Sequence, residues 1–274
     1  MQRAILKWVG GKSRVLPTLK KILPEGDCLV EPFVGSGSVF LNTDYAQYRL
    51  SDSNPDLVLV LKVASEAPDD LIEACEELWG MGFDEDTYAT LKAKFNDRKN
   101  ITIEDSIDRA ALFIYLNRHG YNGLCRYNGS GGYNVPHGKP ESAPYLPRAE
   151  IQAFWKKCSE CEVIITCQDF TEALTNLPKN AVVYCDPPYI PRSKTAAFAQ
   201  YHKSPFGQQQ HRVLARLLKT AHKDGAKVVL SNSDTLLTKD IYYGFDWQTV
   251  VVGRYVGAKA DKRGKVNELI GILK

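Results

Sequence analysis

Short apolar runs that stop at polar punctuation recur along the chain: Cys28 to Val30, Tyr48 to Leu50, Val163 to Thr166, Val182 to Cys185, Lys227 to Leu230, Trp247 to Val252 and Leu269 to Leu273. Runs of this length and composition read as strands, and those apolar throughout read as strands covered on both faces. Between them lie patterns of helical period, from Gly37 to Leu41 onward and from Gln208 to His222. Strands alternating with helices predict an α/β fold with a mostly parallel, Rossmann-like sheet. The alternation fails between Asp56 and Glu150. That interval is helical first, with Leu71, Ala74, Cys75 and Leu78 at helical spacing in an acidic stretch from Glu66 to Asp108, and then rich in glycine, asparagine and tyrosine. It is expected to form a second domain, 56–150, inserted between the halves 1–55 and 151–274 of the sheet domain.

Composition narrows the class. The 274 residues are 44% hydrophobic and 24% charged, enough to bury a core and to exclude a disordered chain. The opening run MQRAILKWVGGK mixes charge into its apolar part, and no apolar stretch approaches the roughly 20 residues of a spanning helix, so a cytoplasmic protein is expected. The seven cysteines are odd in number and scattered, which argues against a disulfide framework. Cys158 and Cys161 form a lone CxxC without a second pair or a suitably spaced histidine, so no metal site is expected. The net charge of +3 is uninformative, but its distribution is not. From Pro187 to Lys223 there is no acid, whereas Arg192, Lys194, Lys203, Arg212, Arg216, Lys219 and Lys223 stand among Tyr189, Phe198, Tyr201 and Phe206. Cations neutralise phosphates and rings stack on unpaired bases, so this block suits a nucleic-acid surface, while a solvated helix face accounts equally for Arg212 to Lys223.

Two glycine motifs point to a ligand. Glu31 to Gly37 (EPFVGSG) follows a strand, the position where open α/β sheets bind ligands, and Gly35 and Gly37 let the backbone approach one closely. Phe40 stands where the third glycine of a dinucleotide fingerprint would fall, which disfavours a nicotinamide cofactor and with it an oxidoreductase. Asp52, at the end of the next strand, reads either as an acceptor for ribose hydroxyls or as the cap of a turn with Asn54 and Pro55. The pair Gly10 and Gly11, between Trp8 and Lys12, reads either as a turn or as a loop closing over a carboxylate, with Lys12 as its counter-charge.

The most informative run is Val182 to Tyr189: a buried strand stops at Asp186, followed by Pro187, Pro188 and Tyr189. Two prolines cannot continue a central strand and hold the chain rigid at the sheet end. Methylation of an exocyclic base amine wants such a corner, because that nitrogen is conjugated with its ring and weakly nucleophilic. Asp186 and the Pro187 carbonyl would accept its two hydrogens, and Tyr189 would stack on the base. A carbon-methylating enzyme needs a cysteine nucleophile beside proline; Cys185 precedes the carboxylate inside the strand and is assigned to packing. A target inside a duplex must be extruded. Tyr121, in the run Asn117 to Asn128, is a candidate wedge, and this run with glycines 129, 131 and 132 is expected to form a β-hairpin from which Arg126 could grip guanine in the major groove.

Taken in order, KWVGGK at 7–12, EPFVGSG at 31–37, NRHGYNGLCRYN at 117–128, DPPY at 186–189 and SNSDT at 231–235 resemble the motifs of the Dam-like DNA adenine methyltransferases over nearly the whole chain. The resemblance implies transfer from S-adenosylmethionine to N6 of adenine in GATC, within double-stranded DNA; a monomer without an obligate protein partner is expected. It implies that Trp8, Gly10, Lys12, Phe33, Gly35, Gly37, Asp52, Asp169 and Asp186 line the cofactor site. It further implies that Lys7, Leu124, Arg126, Pro136 and Lys139 face the recognition sequence, with Tyr121 and Asn122 near the extruded base. Residues 136–140 and the loop from Val256 to Gly264 depart from the family pattern. Methylation of cytosine N4 or of adenine in RNA, and a catalytically silent DNA-binding relative, stay open as alternatives; cytosine enzymes more often carry serine at the position of Asp186.

Overall fold

The computed structural model of the chain describes residues 1–97, 104–191, 206–253 and 265–273. Its strands, in chain order, are β1 (Cys28–Glu31), β2 (Gln47–Asp52), β3 (Glu162–Cys167), β4 (Ala181–Cys185), β5 (Lys227–Ser233), β6 (Phe245–Gly253) and β7 (Lys265–Leu273). Its α-helices are α1 (Leu16–Ile22), α2 (Pro55–Glu66), α3 (Pro68–Gly80), α4 (Glu85–Asn96), α5 (Glu104–His119), α6 (Arg148–Ser159), α7 (Phe170–Ala173), α8 (Gln208–Lys223) and α9 (Leu236–Ile241). The chain divides into two compact units. One comprises Met1–Lys12, Gly35–Asn42 and Asn54–Cys167, the other Ser13–Val34, Thr43–Ser53 and Gln168–Lys274.

In the first unit, α5 is the central helix. From Ala110 to His119 every residue is buried, because α2, α3 and α4 surround it, and a helix covered on all sides needs no polar face. Asn54 caps α2 by accepting from the N–H groups of Asp56 and Leu57, and Pro55 supplies the first helical position. A buried ion pair ties α2 to α5. Arg109 donates to Asp56 at 2.7 and 3.0 Å, the Tyr127 hydroxyl donates to the other oxygen of Asp56 at 2.6 Å, and the guanidinium lies 4.1 Å over the Phe95 ring. Tyr127 thereby fastens the segment after α5 to the helices.

Two expectations are corrected in this unit. The helix expected from Gly37 onward is only a 3-10 turn, Phe40–Asn42. The Asn42 side chain explains why: its amide donates to the Ser38 carbonyl at 2.9 Å and exchanges two hydrogen bonds with the Gln2 backbone, and such local bonds compete with helix propagation. The β-hairpin expected after Asn117 is met only as two isolated antiparallel bridges, Gly120 with His137 and Tyr127 with Tyr133. Asn117 to His119 instead complete α5. The second bridge is flanked by backbone bonds from the Asn128 N–H to the Gly132 carbonyl at 2.8 Å and from the Asn134 N–H to the Arg126 carbonyl at 3.0 Å, and within its turn Asn128 Oδ1 takes the N–H groups of Ser130 and Gly132.

In the second unit six strands are ordered β2-β1-β4-β5-β7-β6. The first four are parallel, and β7 runs antiparallel to both β5 and β6. Every residue of β1 and β4 is buried, the structural cause of their uninterrupted apolar runs. Helix α8 lays His211, Leu214, Ala215, Leu218 and Ala221 against the core, where they meet Val183, Cys185, Val228 and Leu230. The parallel order makes the carboxyl ends of β1, β2 and β4 neighbours, the place where an open α/β sheet receives a ligand. No helix among the described residues is long and apolar enough to cross a membrane.

Candidate active site

Asp186 leaves the carboxyl end of β4 with Oδ1 shielded from solvent; Pro187 is buried, Pro188 exposed and Tyr189 half-buried. The corner is fixed by bonds that the sequence did not announce. The Tyr189 hydroxyl donates to Glu268 Oε2 at 3.1 Å. Ile190 is held at both backbone groups: its N–H donates to Asn232 Oδ1 at 3.1 Å, and the Ser233 hydroxyl donates to its carbonyl at 2.5 Å. Asn232 Oδ1 also accepts from the Ser233 N–H at 2.8 Å, so two backbone donors set the orientation of that amide. Beneath them Tyr184 and Ser231 pair through their hydroxyls at 2.8 Å. Burial, then the neighbouring Asp186 and Glu268, hold the Tyr189 phenol well above its ordinary range, so it stays a protonated donor.

His211 supports the corner from α8. Its Nδ1 lies 2.7 Å from the Tyr242 hydroxyl, and burial pushes the imidazole down to about 4 against the opposing pull of the Pro188 carbonyl. The ring is therefore neutral at physiological pH. Cys185 is buried in β4, and burial, then Asp186 and Glu31, raise its thiol well above the ordinary value, in keeping with a packing role.

The neighbouring strand ends carry further acids. Glu31 closes β1 and is buried; Asp52 closes β2 and is half-buried. The Asp52 carbonyl accepts from the Gln168 N–H at 3.2 Å, and the Gln168 side chain donates to the Ser51 hydroxyl at 3.0 Å, which leads the chain to Asp169. Asp169 is exposed and caps α7, its Oδ1 taking the N–H of Thr171 at 2.9 Å and the hydroxyl at 2.7 Å. Phe33 stacks on Phe170 at 5.5 Å with Phe206 edge-on to both.

In the first unit, Gly35 adopts φ +51° with the Trp8 indole where a side chain would be: a Cβ there would lie 3.1 Å from the ring. Trp8 and Gly35 thus pack closely, and a side chain at 35 would strain the backbone and push on the indole. The turn from Trp8 to Gly11 closes through a 3.2 Å backbone bond, and buried Lys12 folds its ammonium onto the Gly10 carbonyl at 2.9 Å. Gly37, at φ +73°, packs near Phe154.

The residues expected at DNA fall into two groups. Lys7, Tyr121, Asn122, Leu124 and Pro136 are brought together. Asn117 clamps the Lys7 backbone with two 2.8 Å bonds, the Lys7 ammonium donates to the Arg118 carbonyl at 3.2 Å, and its stem fills the space over Gly123; the Tyr121 N–H donates to the Pro136 carbonyl at 2.9 Å. Burial, then Arg118, lowers the Lys7 ammonium. Tyr121 is 45% exposed, and Asn122 takes φ 54°, so this tip presents itself outward. The other two residues are engaged elsewhere: Arg126 donates to Asn134 at 2.7 and 2.9 Å, and exposed Lys139 pairs with Glu85 at 3.0 Å. Of the basic block, Arg192, Lys194, Phe198, Tyr201 and Lys203 lie outside the described residues, as does the loop from Val256 to Gly264. Phe206 packs in the core, Arg212 faces Asp240 at 3.9 Å, and Lys219 sits over the Tyr243 ring.

Glu31, His211, Asn232, Ser233 and Glu268 were not singled out from the sequence. Asn232 and Ser233 carried a signal, as part of SNSDT, but nothing in a motif says which loop it braces.

A model of the D12 class N6 adenine-specific DNA methyltransferases matches residues 8–254. With acids at the ends of β1, β2 and β4, the sheet is that of a Rossmann-like methyltransferase. The chain belongs to the D12 class of N6 adenine-specific DNA methyltransferases. It is 40% identical over 272 residues to the DNA adenine methylase of Escherichia coli (strain K12), covering 99% of this chain and 95% of that protein. It is 41% identical over 271 residues to the DNA adenine methylase of Salmonella typhimurium (strain LT2), covering 98% and 95%. The Vibrio cholerae serotype O1 DNA adenine methylase is 38% identical over 275 residues, covering 99% and 96%.

Proposed function

We propose that the chain methylates N6 of adenine in duplex GATC with S-adenosylmethionine as donor, after extruding the base from the stack. The carrying observation is the corner at Asp186 to Tyr189, held by bonds from two further strands at the end of a fully buried one. S-adenosylmethionine supplies an electrophilic methyl group on a positively charged sulfur. The residues fit such a group: Glu31, Asp52, Asp169 and Asp186 offer carboxylates for a cation, an amine and ribose hydroxyls, and Phe33 offers an aromatic wall. Trp8, Gly10, Lys12, Gly35 and Gly37 are assigned to the cofactor on the motif match.

Asp186 and the Pro187 carbonyl accept the two hydrogens of the adenine amine and turn its lone pair out of conjugation. Tyr189 stacks on the base, and Asp186 takes up the proton that the methylated nitrogen releases. No covalent step through Cys185 is needed. The segment 56–150 serves target recognition, with Tyr121 as wedge, Asn122 beside the extruded base, and Lys7, Leu124, Arg126, Pro136 and Lys139 toward the site. The enzyme acts as a monomer on cytoplasmic DNA. Incubation with radiolabelled donor and duplexes with or without GATC tests this. Label enters only the GATC duplex, and Asp186→Ala lowers turnover at least about a hundredfold while cofactor binding persists; equal labelling refutes the sequence choice, and near-normal turnover refutes the mechanism.

A further inference from the structure

Tyr189 can stack usefully on a base only if its ring plane is set before the base arrives, since two side-chain torsions otherwise let the ring swing. Both ends of the residue are anchored. At the backbone end Ile190 is pinned by Asn232 and Ser233, and at the ring end the hydroxyl is pinned by Glu268. These anchors share one rung of the sheet: Ser233 of β5 and Glu268 of β7 are directly paired in the antiparallel ladder, with Val250 of β6 on the other side of Glu268. At 3.1 Å the bond is long for a hydroxyl on a carboxylate, so what it supplies is a fixed direction for the ring rather than unusual strength. The outlying antiparallel strand therefore supplies a part of the parallel sheet's active corner.

We propose that Glu268 is a positioning residue that fixes the Tyr189 ring in its stacking orientation, an inference that rests on the stacking role assigned to Tyr189 above. The cost of losing it falls on formation of the extruded, stacked base and on the transfer step, not on cofactor binding. The test is a double-substitution cycle on the full chain. It is read by single-turnover methyl transfer to a GATC duplex and by fluorescence of 2-aminopurine at the target adenine. Glu268→Leu and Tyr189→Phe each slow transfer about tenfold and blunt the fluorescence rise, the scale of one hydrogen bond to a charged group. Glu268→Gln, which keeps a neutral acceptor, slows it about threefold or less. The double variant Tyr189→Phe with Glu268→Leu is no slower than either single one, because both remove the same bond. Cofactor binding at the parental level in every variant shows that the fold stands. Additive losses, about a hundredfold in the double variant, overturn the proposal, as does loss of cofactor binding in Glu268→Gln. Tyr189→Ala separates the two layers. If it is defective while the cycle is additive, only the role of Glu268 falls; if it transfers and fluoresces normally, the stacking role falls and the Glu268 proposal with it.

Discussion

The corner at Asp186 and the tip around Tyr121 both present aromatic residues, but they are built in opposite ways. The corner is drawn from regular strands and braced by side chains of β5 and β7, with most of its polar groups shielded. The tip is irregular backbone with left-handed residues at Asn122 and Gly123, exposed side chains, and its anchors placed below, in Asn117, Tyr127 and Asp56. A group that must aim at a reacting nitrogen gains from a frame set in advance, whereas a group that reads a flexible duplex gains from an adjustable surface on a firm base.

The largest effect is expected at the base of the tip. Asp56→Ala leaves Arg109 charged and buried and frees Tyr127, so the first unit is expected to lose about 3 to 5 kcal/mol, measured by urea unfolding; a loss near zero would mean that the tip is anchored elsewhere. At the corner, Asn232→Ala leaves the Ile190 N–H without its acceptor. The expected cost is about 1 to 3 kcal/mol of stability, with a slower single-turnover rate and an unchanged cofactor Kd.

Acid acts on both units, since each holds a buried, neutral histidine among its described residues. Burial takes His119 down to about 4, opposed by the Tyr115 carbonyl, and His211 likewise to about 4. The unfolded chain binds these protons below its ordinary value near 6.5 while the folded one refuses them. Stability is therefore complete above about pH 6.5 and falls as pH drops toward 4, by at most about 1.4 kcal/mol per pH unit for each histidine. His119→Gln and His211→Gln should each flatten that decline; an unaltered pH slope would show that neither ring carries it. The smallest stability effect is expected at the tip itself. Arg126→Ala should shift unfolding by no more than about 0.5 kcal/mol, as an exposed site does, yet reduce discrimination between correct and altered target sites by about 1 to 3 kcal/mol.

Much of the sheet was legible because burial writes itself into sequence. All seven strands were marked by apolar runs, and Val182 to Cys185 is uninterrupted because β4 is covered on both faces. Asp186 and its prolines were legible for the converse reason, since their chemistry excludes a continuing strand. The helix expected after Gly37 failed on a single asparagine whose side chain found better partners in Ser38 and Gln2. The hairpin is confined to a short turn at the Tyr127–Tyr133 bridge, where the Asn128 side chain takes the Gly132 N–H. Glu268 and His211 were illegible for a different reason. Their meaning depends on pairings across long stretches of chain, β7 with β5 and α8 with the proline corner, and periodicity reports which face is buried, never against what.

The order β5-β7-β6 also governs when this enzyme can be finished on the ribosome. Strand β6 is synthesised before β7 but borders the sheet only through it, so β6 must wait, unpaired, until its successor emerges. Ser233 waits with it for its cross-strand neighbour, and the tyrosine beside the two prolines lacks its strut until then. A chain ending before residue 265 would therefore lack the Tyr189–Glu268 bond, which the last strand supplies.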